Sequence, residues 1–307
     1  ASKRQKFIMN SCCLANGGAV LADILRGAPV AGKIKETLTE RTAKLREKGI
    51  VPVLAILRVG ERSGDLSYER GAAKCCSDVG VEVRRFILPQ SCPSELLLET
   101  VTKINDDPSI HGCLVFRPLP NKEDEKAVCS MLSPSKDIDC ITAESLTSVF
   151  TGAGEGFPPC TAQACIELLE HYGYDIQGKN ITVIGRSLVI GKPVSMMLQS
   201  HNATVTMCHT KTRGIAEICA KAEILIAAAG KAGMVNADYT NSGQIVLDVG
   251  INVNSEGRLC GDADFDSVEK KAAAITPVPG GIGAVTSAVL VKHVIEAAEK
   301  AAKKKIL

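Results

Sequence analysis

The sequence contains no Trp, and only four Tyr and six Phe among its 307 residues. The hydrophobic cores must therefore consist mainly of aliphatic side chains and Ala. A continuous apolar stretch of about 18 residues, the length that spans a membrane, is also missing. The charge is nearly balanced, with 36 basic and 34 acidic side chains, so neither nucleic acid nor a membrane surface is an expected partner. These absences favour a globular protein whose partner is a small molecule.

The 13 cysteines are scattered and form neither a CxxC pair nor a Cys/His metal-binding pattern. We therefore predict that most of them are reduced core residues of a cytoplasmic protein, and we predict no metal site. Residues 1–17 begin with basic side chains but contain no continuous apolar segment. They are predicted to be a tail outside the fold rather than a targeting peptide.

Helical and strand patterns alternate along the first half of the chain. Apolar residues at helical spacing predict helices over 30–48, 65–79 and 93–105, and short apolar runs predict strands over 51–60, 81–88 and 112–117. Helices between successive strands imply right-handed crossovers and a mainly parallel sheet. The predicted fold class is therefore α/β.

A segment rich in Gly and Pro at 151–162 separates this series from a second one. The second series predicts strands over 180–185, 203–208, 223–230 and 244–250, and it ends in a helix over 285–304. That helix is long enough to pack back against the first domain. We therefore predict one domain formed by 18–159 with 285–307, and a Rossmann-like domain at 160–284.

The strongest local sign of a ligand is the segment NITVIGRSLVIGKPV at 180–194. It predicts a strand that ends at Gly185 and a helix that starts near Gly191, and the amides of such a helix start favour a phosphate. The glycines do not match the GxGxxG fingerprint, so a tight turn without a ligand remains an alternative. Arg186 and Ser187 favour phosphate binding, because an Arg side chain offers a fork of donors.

The strand over 203–208 is followed by His, Thr, Lys and Thr at 209–212. In a Rossmann sheet this position selects between the two nicotinamide cofactors, and an acidic residue there binds a free ribose 2′-hydroxyl. The sequence has hydroxyls and a Lys instead. NADP is therefore favoured over NAD.

The chain resembles the methylenetetrahydrofolate dehydrogenase/methenyltetrahydrofolate cyclohydrolase family over nearly all of residues 18–305. Several long motifs in the same order carry this resemblance. They are PSKDIDCIT at 134–142, PPCTA at 158–162, GRSLVIGKP at 185–193, ATVTMCHTKT at 203–212, LDVGIN at 247–252 and TPVPGGIGAVT at 276–286.

The resemblance implies roles for individual residues. Asp139 would hold the pterin ring, Tyr68 would pack on the folate, and a loop would cover it. Helix capping by Asp139, a surface position for Tyr68 and a simple connector for the loop remain alternatives. The loop residues are Pro277, Gly280 and Gly281.

The resemblance also implies which residues contact the cofactor. Arg186 and Thr210 would contact the 2′-phosphate. The full set is Gly185, Arg186, Ser187, Gly191, Thr210, Gly250 and Ile251.

Two positions depart from the family pattern. The family places a lysine four residues after the tyrosine, one helical turn on, but here Ala72 follows Tyr68 at that spacing. Lys74 is six residues on and rotated by ~120° from that face. The glutamine that orients this lysine is replaced by Phe116, next to Arg117. Both residues that serve the hydrolytic step are therefore replaced together.

The resemblance implies an NADP-dependent methylenetetrahydrofolate dehydrogenase and a homodimer formed through the cofactor domain. Hydride transfer mainly needs correct placement, whereas hydrolysis of the methenyl cation needs a base, so we expect weak or absent cyclohydrolase activity. Lys74 and Arg117 are kept as candidate catalytic cations beside Tyr68 and Asp139, although an Arg is a poor base. The alternatives are a fully bifunctional enzyme, an inactive binding module in which Phe116 fills the cleft, and an unrelated dehydrogenase.

Overall fold

The computed structural model describes residues 21–304, so the predicted tail at 1–17 and residues 305–307 lie outside the described residues. The helices are α1 (Gly27–Glu47), α2 (Ser63–Val79), α3 (Ser94–Asp106), α4 (Lys122–Met131), α5 (Ala143–Thr151), α6 (Cys160–His171), α7 (Gly191–Ser200), α8 (Ile215–Ala220), α9 (Phe265–Glu269) and α10 (Ile282–Lys304). The strands are β1 (Asp23–Ile24), β2 (Val53–Val59), β3 (Glu82–Leu88), β4 (Gly112–Val115), β5 (Asn180–Ile184), β6 (Thr204–Cys208), β7 (Ile224–Ala227), β8 (Ile245–Asp248), β9 (Asn252–Val253), β10 (Leu259–Cys260) and β11 (Ala274–Ile275).

The first domain contains a parallel three-stranded sheet in the order β3-β2-β4. Strand β2 lies in the centre, and all seven of its residues are buried. Its alternate side chains face opposite cores, as the pleat requires. Leu54 and Ile56 belong to the core that includes α1, α2 and α10, whereas Val53, Ala55 and Leu57 pack in the core with α3 and α4.

The second domain contains a six-stranded sheet in the order β1-β11-β8-β7-β5-β6, and its strands are parallel. The chain passes from β5 outward to β6 and then crosses to β7 on the other side. Ligands of doubly wound sheets bind at this switch point, beyond the carboxyl ends of the strands. The predicted α/β fold with two domains is thereby confirmed.

The domain boundaries differ from the predicted ones at two places. Strand β1 pairs with β11, so Asp23 and Ile24 belong to the second sheet rather than to the first domain. Helix α10 begins at Ile282 instead of 285 and packs against α1, α2 and α6. Residues of α1, α6 and α10 share one continuous core, which therefore connects the two sheets.

Two helices of the first domain were not predicted, although each has a capping residue. Asn121 accepts a hydrogen bond from the Glu123 amide at the start of α4, and Thr142 accepts one from the Ser145 amide at the start of α5. The eleven described cysteines are all free, and eight of them are buried. Within residues 21–304 no helix has the length and apolar character needed to cross a membrane.

The space around two glycines predicts that their substitution by Ala has opposite effects on the free energy of unfolding. A Cβ atom at Gly112 would lie 2.6 Å from Cγ2 of Ile138, whereas one at Gly32 in α1 would meet nothing within 4 Å. Gly112→Ala should lower the free energy of unfolding by about 1–3 kcal/mol, because a buried neighbour must move. Gly32→Ala should raise it by about 0.5–1 kcal/mol, because Ala is the better helix residue. Urea unfolding measures both, and equal effects would contradict this packing.

Candidate active site

A cavity of about 460 Å³ opens where the first domain meets the loop after β5. Tyr68 comes from α2, Phe116 and Arg117 follow β4, and Asp139 follows the short 3₁₀ turn at 134–136. Val189, from the loop between β5 and α7, closes the cavity from the second domain. The fold therefore brings together three candidate substrate residues and one wall of the predicted cofactor loop.

The ring of Tyr68 lies half-buried in this cavity. It meets the ring of Phe116 edge to face, with 6.0 Å between the ring centroids. Burial raises the pKa of the Tyr68 phenol well above its usual value, and nearby Cys160 and Asp139 raise it further. Tyr68 therefore keeps its proton at neutral pH and offers an aromatic surface and a hydrogen-bond donor.

The carboxylate of Asp139 caps a helix, and its contact with the pterin stays a prediction. Its Oδ1 accepts a hydrogen bond of 2.9 Å from the backbone N–H of Cys160, the first residue of α6, so Asp139 caps that helix. It also lines the cavity. Burial raises its pKa, and the bond from Cys160 opposes that rise. Since one oxygen is held by the backbone, the carboxylate has a fixed orientation.

Helix α2 is anchored by a buried ion pair that the sequence analysis missed. Oε2 of Glu69 lies 2.9 Å from Nε of Arg58, and Oε1 lies 2.7 Å from Nε of Arg85. Burial would raise the pKa of Glu69, but the hydrogen bonds from the two arginines outweigh it and leave the pKa below its usual value. Glu69 directly follows Tyr68, so this pair fixes the helix turn that presents the ring. An Arg within the buried strand β2 was the available signal, because a buried charge needs a partner.

The lysine candidate does not reach the cavity. Ala72 is fully buried at the position one turn after Tyr68. The Lys74 side chain is 79% exposed, and its ammonium pairs with Asp78 at 3.3 Å. Lys74 therefore faces solvent, and the structure does not support its candidate catalytic role. No lysine within residues 21–304 lines this cavity, whose cation is Arg117, 3.9 Å from Glu125.

Two glycines shape the loop between β5 and α7. Gly185 has φ 122°, and a Cβ atom there would lie 2.2 Å from the carbonyl oxygen of Ala228 after β7. A Cβ atom on Gly191, the first residue of α7, would lie 2.2 Å from the carbonyl oxygen of Gly185. The loop is thus tightly closed at the switch point, with the amides of the α7 start beside it. A dinucleotide phosphate fits this arrangement.

The other predicted cofactor residues lie at the same edge of the sheet. Arg186 and Ser187 follow β5, and Thr210 follows the neighbouring strand β6; all three are exposed. Gly250 and Ile251 follow β8, where Gly250 is buried and the Ile251 side chain is 73% exposed. Residues that follow three different strands therefore lie together at this edge of the sheet.

Two buried carboxylates support this edge, and the sequence analysis missed them. Asp248 accepts hydrogen bonds from the amides of Gly250, Asp262 and Ala263. Asp262 accepts from the amides of residues 229–231 and from the Asn252 side chain. Burial raises the pKa of Asp248 to about 6 despite these bonds. Together the carboxylates hold the loops after β7 and β8 in place.

The predicted loop over the substrate lies at the start of α1. The amide of Gly27 donates to the carbonyl oxygen of Gly280, and a Cβ atom on Gly27 would lie 2.1 Å from the carbonyl oxygen of Gly281. Pro277, Gly280 and Gly281 connect β11 to α10 and do not line the cavity described above. In this structure the loop acts as a connector, and its contact with substrate stays a prediction.

Two family models match the chain. The catalytic domain of tetrahydrofolate dehydrogenase/cyclohydrolase matches residues 25–139, and the NAD(P)-binding domain of the same family matches residues 159–302. Among curated proteins, the bifunctional protein FolD of Clostridioides difficile is 46% identical over 274 residues, 89% of this chain and 96% of that protein. FolD of Clostridium botulinum is 47% identical over 280 residues, 91% of this chain and 99% of that protein.

Solved structures agree with these matches. The bifunctional enzyme FolD of Campylobacter jejuni, a methylenetetrahydrofolate dehydrogenase/cyclohydrolase, superposes with a TM-score of 0.87 at 35% identity, covering 91% of this chain and 99% of that one. The Trypanosoma brucei enzyme, solved with NADP cofactor and an inhibitor, superposes with a TM-score of 0.86 at 34% identity, covering 92% and 99%.

The capping role of Asp139 can be tested by substitution. Asp139→Ala removes the acceptor for the Cys160 amide and should lower the free energy of unfolding by about 1–2 kcal/mol. Asp139→Asn keeps an acceptor oxygen and should cost clearly less. Urea unfolding measures both, and Glu40→Ala, at an exposed position of α1, is the control with an expected change within about 0.5 kcal/mol. Equal losses for Ala and Asn would show that the charge, and not the cap, stabilises the fold.

Proposed function

Because the chain belongs to the tetrahydrofolate dehydrogenase/cyclohydrolase family, we propose that it oxidises 5,10-methylenetetrahydrofolate to 5,10-methenyltetrahydrofolate with NADP in one-carbon metabolism, with weak or absent cyclohydrolase activity. The observation that carries the restriction is the pair Ala72 and Phe116. Ala72 is fully buried one helical turn after Tyr68, and Phe116 lines the cavity against the Tyr68 ring. The eleven free cysteines of the described chain suit the reducing, cytoplasmic compartment that we propose for it.

The edge of the second sheet supports the choice of NADP. Arg186 and Thr210 follow adjacent parallel strands, where a 2′-phosphate would meet a guanidinium and a hydroxyl. Gly185 and Gly191 let the loop and the α7 amides approach a pyrophosphate. When NADP is bound, its nicotinamide accepts the hydride.

The cavity residues bind and orient the folate in this proposal. Asp139, held by the Cys160 amide, offers a carboxylate oxygen to the N–H donors of the pterin. Tyr68 packs on the substrate, and the ion pair of Glu69 keeps its helix in place. Hydride transfer releases no proton, so this step needs placement and exclusion of water more than acid–base chemistry.

Hydrolysis of the methenyl cation would need a base that accepts a proton from water. The phenol of Tyr68 keeps its proton, and the guanidinium of Arg117 has hydrogen-bond donors but no acceptor with which to take a proton from water. Ala72 offers no polar group, and Phe116 contributes a ring where an amide would orient a lysine. Three carboxylates line the cavity, and each is engaged: Asp65 by Arg62, Glu125 by the Leu119 amide and Asp139 by the Cys160 amide. The methenyl product should therefore leave intact.

A fully bifunctional enzyme is the second candidate, and the names of the relatives support it better than the restricted activity. The curated relatives at 46% and 47% identity are both named bifunctional protein FolD. A relative's name does not determine which side chain stands at position 72 of this chain. If this enzyme hydrolyses the methenyl compound, the base should be a carboxylate of the cavity, since Lys74 points to solvent.

We also propose a homodimer through the second domain. Ile251, Val253 and Leu259 lie on or next to the two-stranded hairpin β9–β10, and their side chains are 73%, 65% and 52% exposed. Neighbouring exposed apolar side chains of this kind mark association surfaces, and a two-fold axis would place the same patch of both copies together.

The hairpin patch predicts a change in mass on substitution. The unmodified protein should elute at twice the chain mass in size-exclusion chromatography with light scattering. Val253→Lys combined with Leu259→Lys should give the monomer mass, because two charges would be buried in the interface. Leu188→Lys, at an exposed apolar position outside the hairpin, is the control. A monomeric unmodified protein would rule out this interface.

Cofactor selection is tested at Arg186. Loss of a bidentate contact between an Arg and a phosphate costs roughly 1.5–3 kcal/mol, so Arg186→Ala should raise the KM for NADP by at least about tenfold. The KM for NAD should barely change, because NAD lacks the 2′-phosphate. Initial rates with both cofactors give the comparison, and equal effects would remove Arg186 from the 2′-phosphate site.

Both reactions should be assayed on one preparation, with the methenyl compound followed by its own absorbance. We expect hydrolysis to be slower than the dehydrogenase reaction by about 10²–10⁴-fold, the usual contribution of a general base. Ala72→Lys with Phe116→Gln should raise hydrolysis more than the sum of the single changes, because the amide would orient the ammonium. Equal rates in the unmodified protein would favour the bifunctional alternative, and no turnover in either assay would indicate an inactive binding module.

A further inference from the structure

A second cavity, of about 490 Å³, lies at the other end of β4 from the active-site cavity. Ile110 precedes β4, Phe157 lies in the segment before α6, and Ala297 and Ala301 belong to the last turns of α10. None of these residues lines the cavity that contains Tyr68 and Asp139. The volume lies within the range of ~300–1,000 Å³ that holds small organic ligands.

The walls of this cavity are largely apolar, and its charged lining residues are three lysines and Glu155, which leaves an excess of positive charge. Ile110, Phe157 and Ala297 are buried and supply the apolar surface. Lys300 lies at the rim with its ammonium 4.2 Å from the centre of the Phe157 ring, and Lys303 lies one turn later along α10. Within residues 21–304 neither ammonium forms a salt bridge, so both charges are available to an anion.

A third lysine adds charge but no free donor. The ammonium of Lys136 donates to the carbonyl oxygens of Ile104, Asn105 and Asp107, which uses all three of its hydrogens and closes the end of α3. Its charge still contributes to the positive potential inside the cavity. The chemistry that matches an apolar wall with a cationic rim is an aromatic or aliphatic body that carries a carboxylate, sulfonate or phosphate.

We propose that this cavity is a second ligand site, that it binds a small organic anion with an apolar body, and that its occupancy acts on Asp139. Two residues of the cavity wall lie close in sequence to Asp139 and to the residue whose amide binds it. Phe157 is three residues before Cys160, whose amide binds Asp139. Lys136 is three residues before Asp139 itself.

His293 of α10 contacts both Phe157 and the backbone next to Asp139. Its ring stacks on Phe157 with 4.9 Å between the ring centroids, and its Nδ1 lies 2.9 Å from the carbonyl oxygen of Ile138. A carbonyl oxygen only accepts, so Nδ1 carries the hydrogen and the ring orientation is set. A ligand that moves Phe157 must therefore disturb a buried contact next to Asp139.

The binding site is tested with 2-naphthoate as the probe, on the full chain without cofactor or folate. Because the protein lacks Trp, the fluorescence anisotropy of the naphthalene ring can be followed against a low background. We expect saturable binding with Kd below about 1 mM, weaker binding at high salt, and weaker binding of the uncharged 2-naphthamide. No saturable binding would overturn the proposal.

Three variants locate the probe. Lys300→Gln with Lys303→Gln should weaken binding by about tenfold, through the loss of two charges. Ala301→Phe should abolish binding by filling the cavity. Lys270→Gln, an exposed lysine of the second domain, should change nothing. If the lysine pair binds the probe like the unmodified protein, or if Ala301→Phe still binds it, the site is elsewhere and the proposal is wrong.

The connection to Asp139 has its own readout, which does not depend on the proposed enzymatic activity. In ¹⁵N-labelled protein the amide resonance of Cys160 should shift with the same Kd as the fluorescence titration, and it should not shift in Ala301→Phe. An unchanged Cys160 resonance at saturation would overturn the action on Asp139. Binding that requires deletion of residues 305–307 would overturn the ligand site, because the chain's own end would then be the occupant.

Discussion

One hydrogen bond, from the backbone N–H of Cys160 to Oδ1 of Asp139, connects the fold to the active-site cavity. It joins the segment after the 3₁₀ turn of the first domain to the start of α6, the helix that packs against α10 and α7. The orientation of the carboxylate therefore depends on how the two domains pack. A substrate group bound by Asp139 is positioned by the same interaction that caps the helix, so binding geometry and stability are coupled.

The same constraint explains why the sequence analysis could not choose between a helix cap and a pterin ligand for Asp139. Both roles need an acceptor oxygen, and only the three-dimensional position of Cys160 shows that one oxygen serves the cap. Glu69 was missed for a related reason. Its partners Arg58 and Arg85 lie on two other elements, β2 and β3, and pairings between distant charged residues leave no local pattern.

Periodic features were predictable from the sequence, and unusual pairings were not. The central strands and long helices were predicted within a few residues, because burial on both faces of β2 or on one face of α3 leaves a clear apolar pattern. Strand β1 has two residues, too short for any pattern, and it joins the second sheet through a pairing more than 240 residues away in sequence. The glycine turn at 185–191 was predictable because close backbone approach permits few other residues.

The two departures at Ala72 and Phe116 also bear on the electrostatics of the active-site cavity, which Phe116 lines and Ala72 does not. The described lining contains the carboxylates of Asp65, Glu125 and Asp139, and its cation is Arg117. An ammonium at position 72 would repel a methenyl cation in the same space, whereas a methyl group does not. On the proposed function, Ala in place of the family's lysine would remove a candidate base for hydrolysis, and it would also leave no ammonium to oppose formation of the cationic product. In the proposed function, a site built in this way would favour hydride removal over hydrolysis of the methenyl product, and that would be the physical reason why the two substitutions occur together.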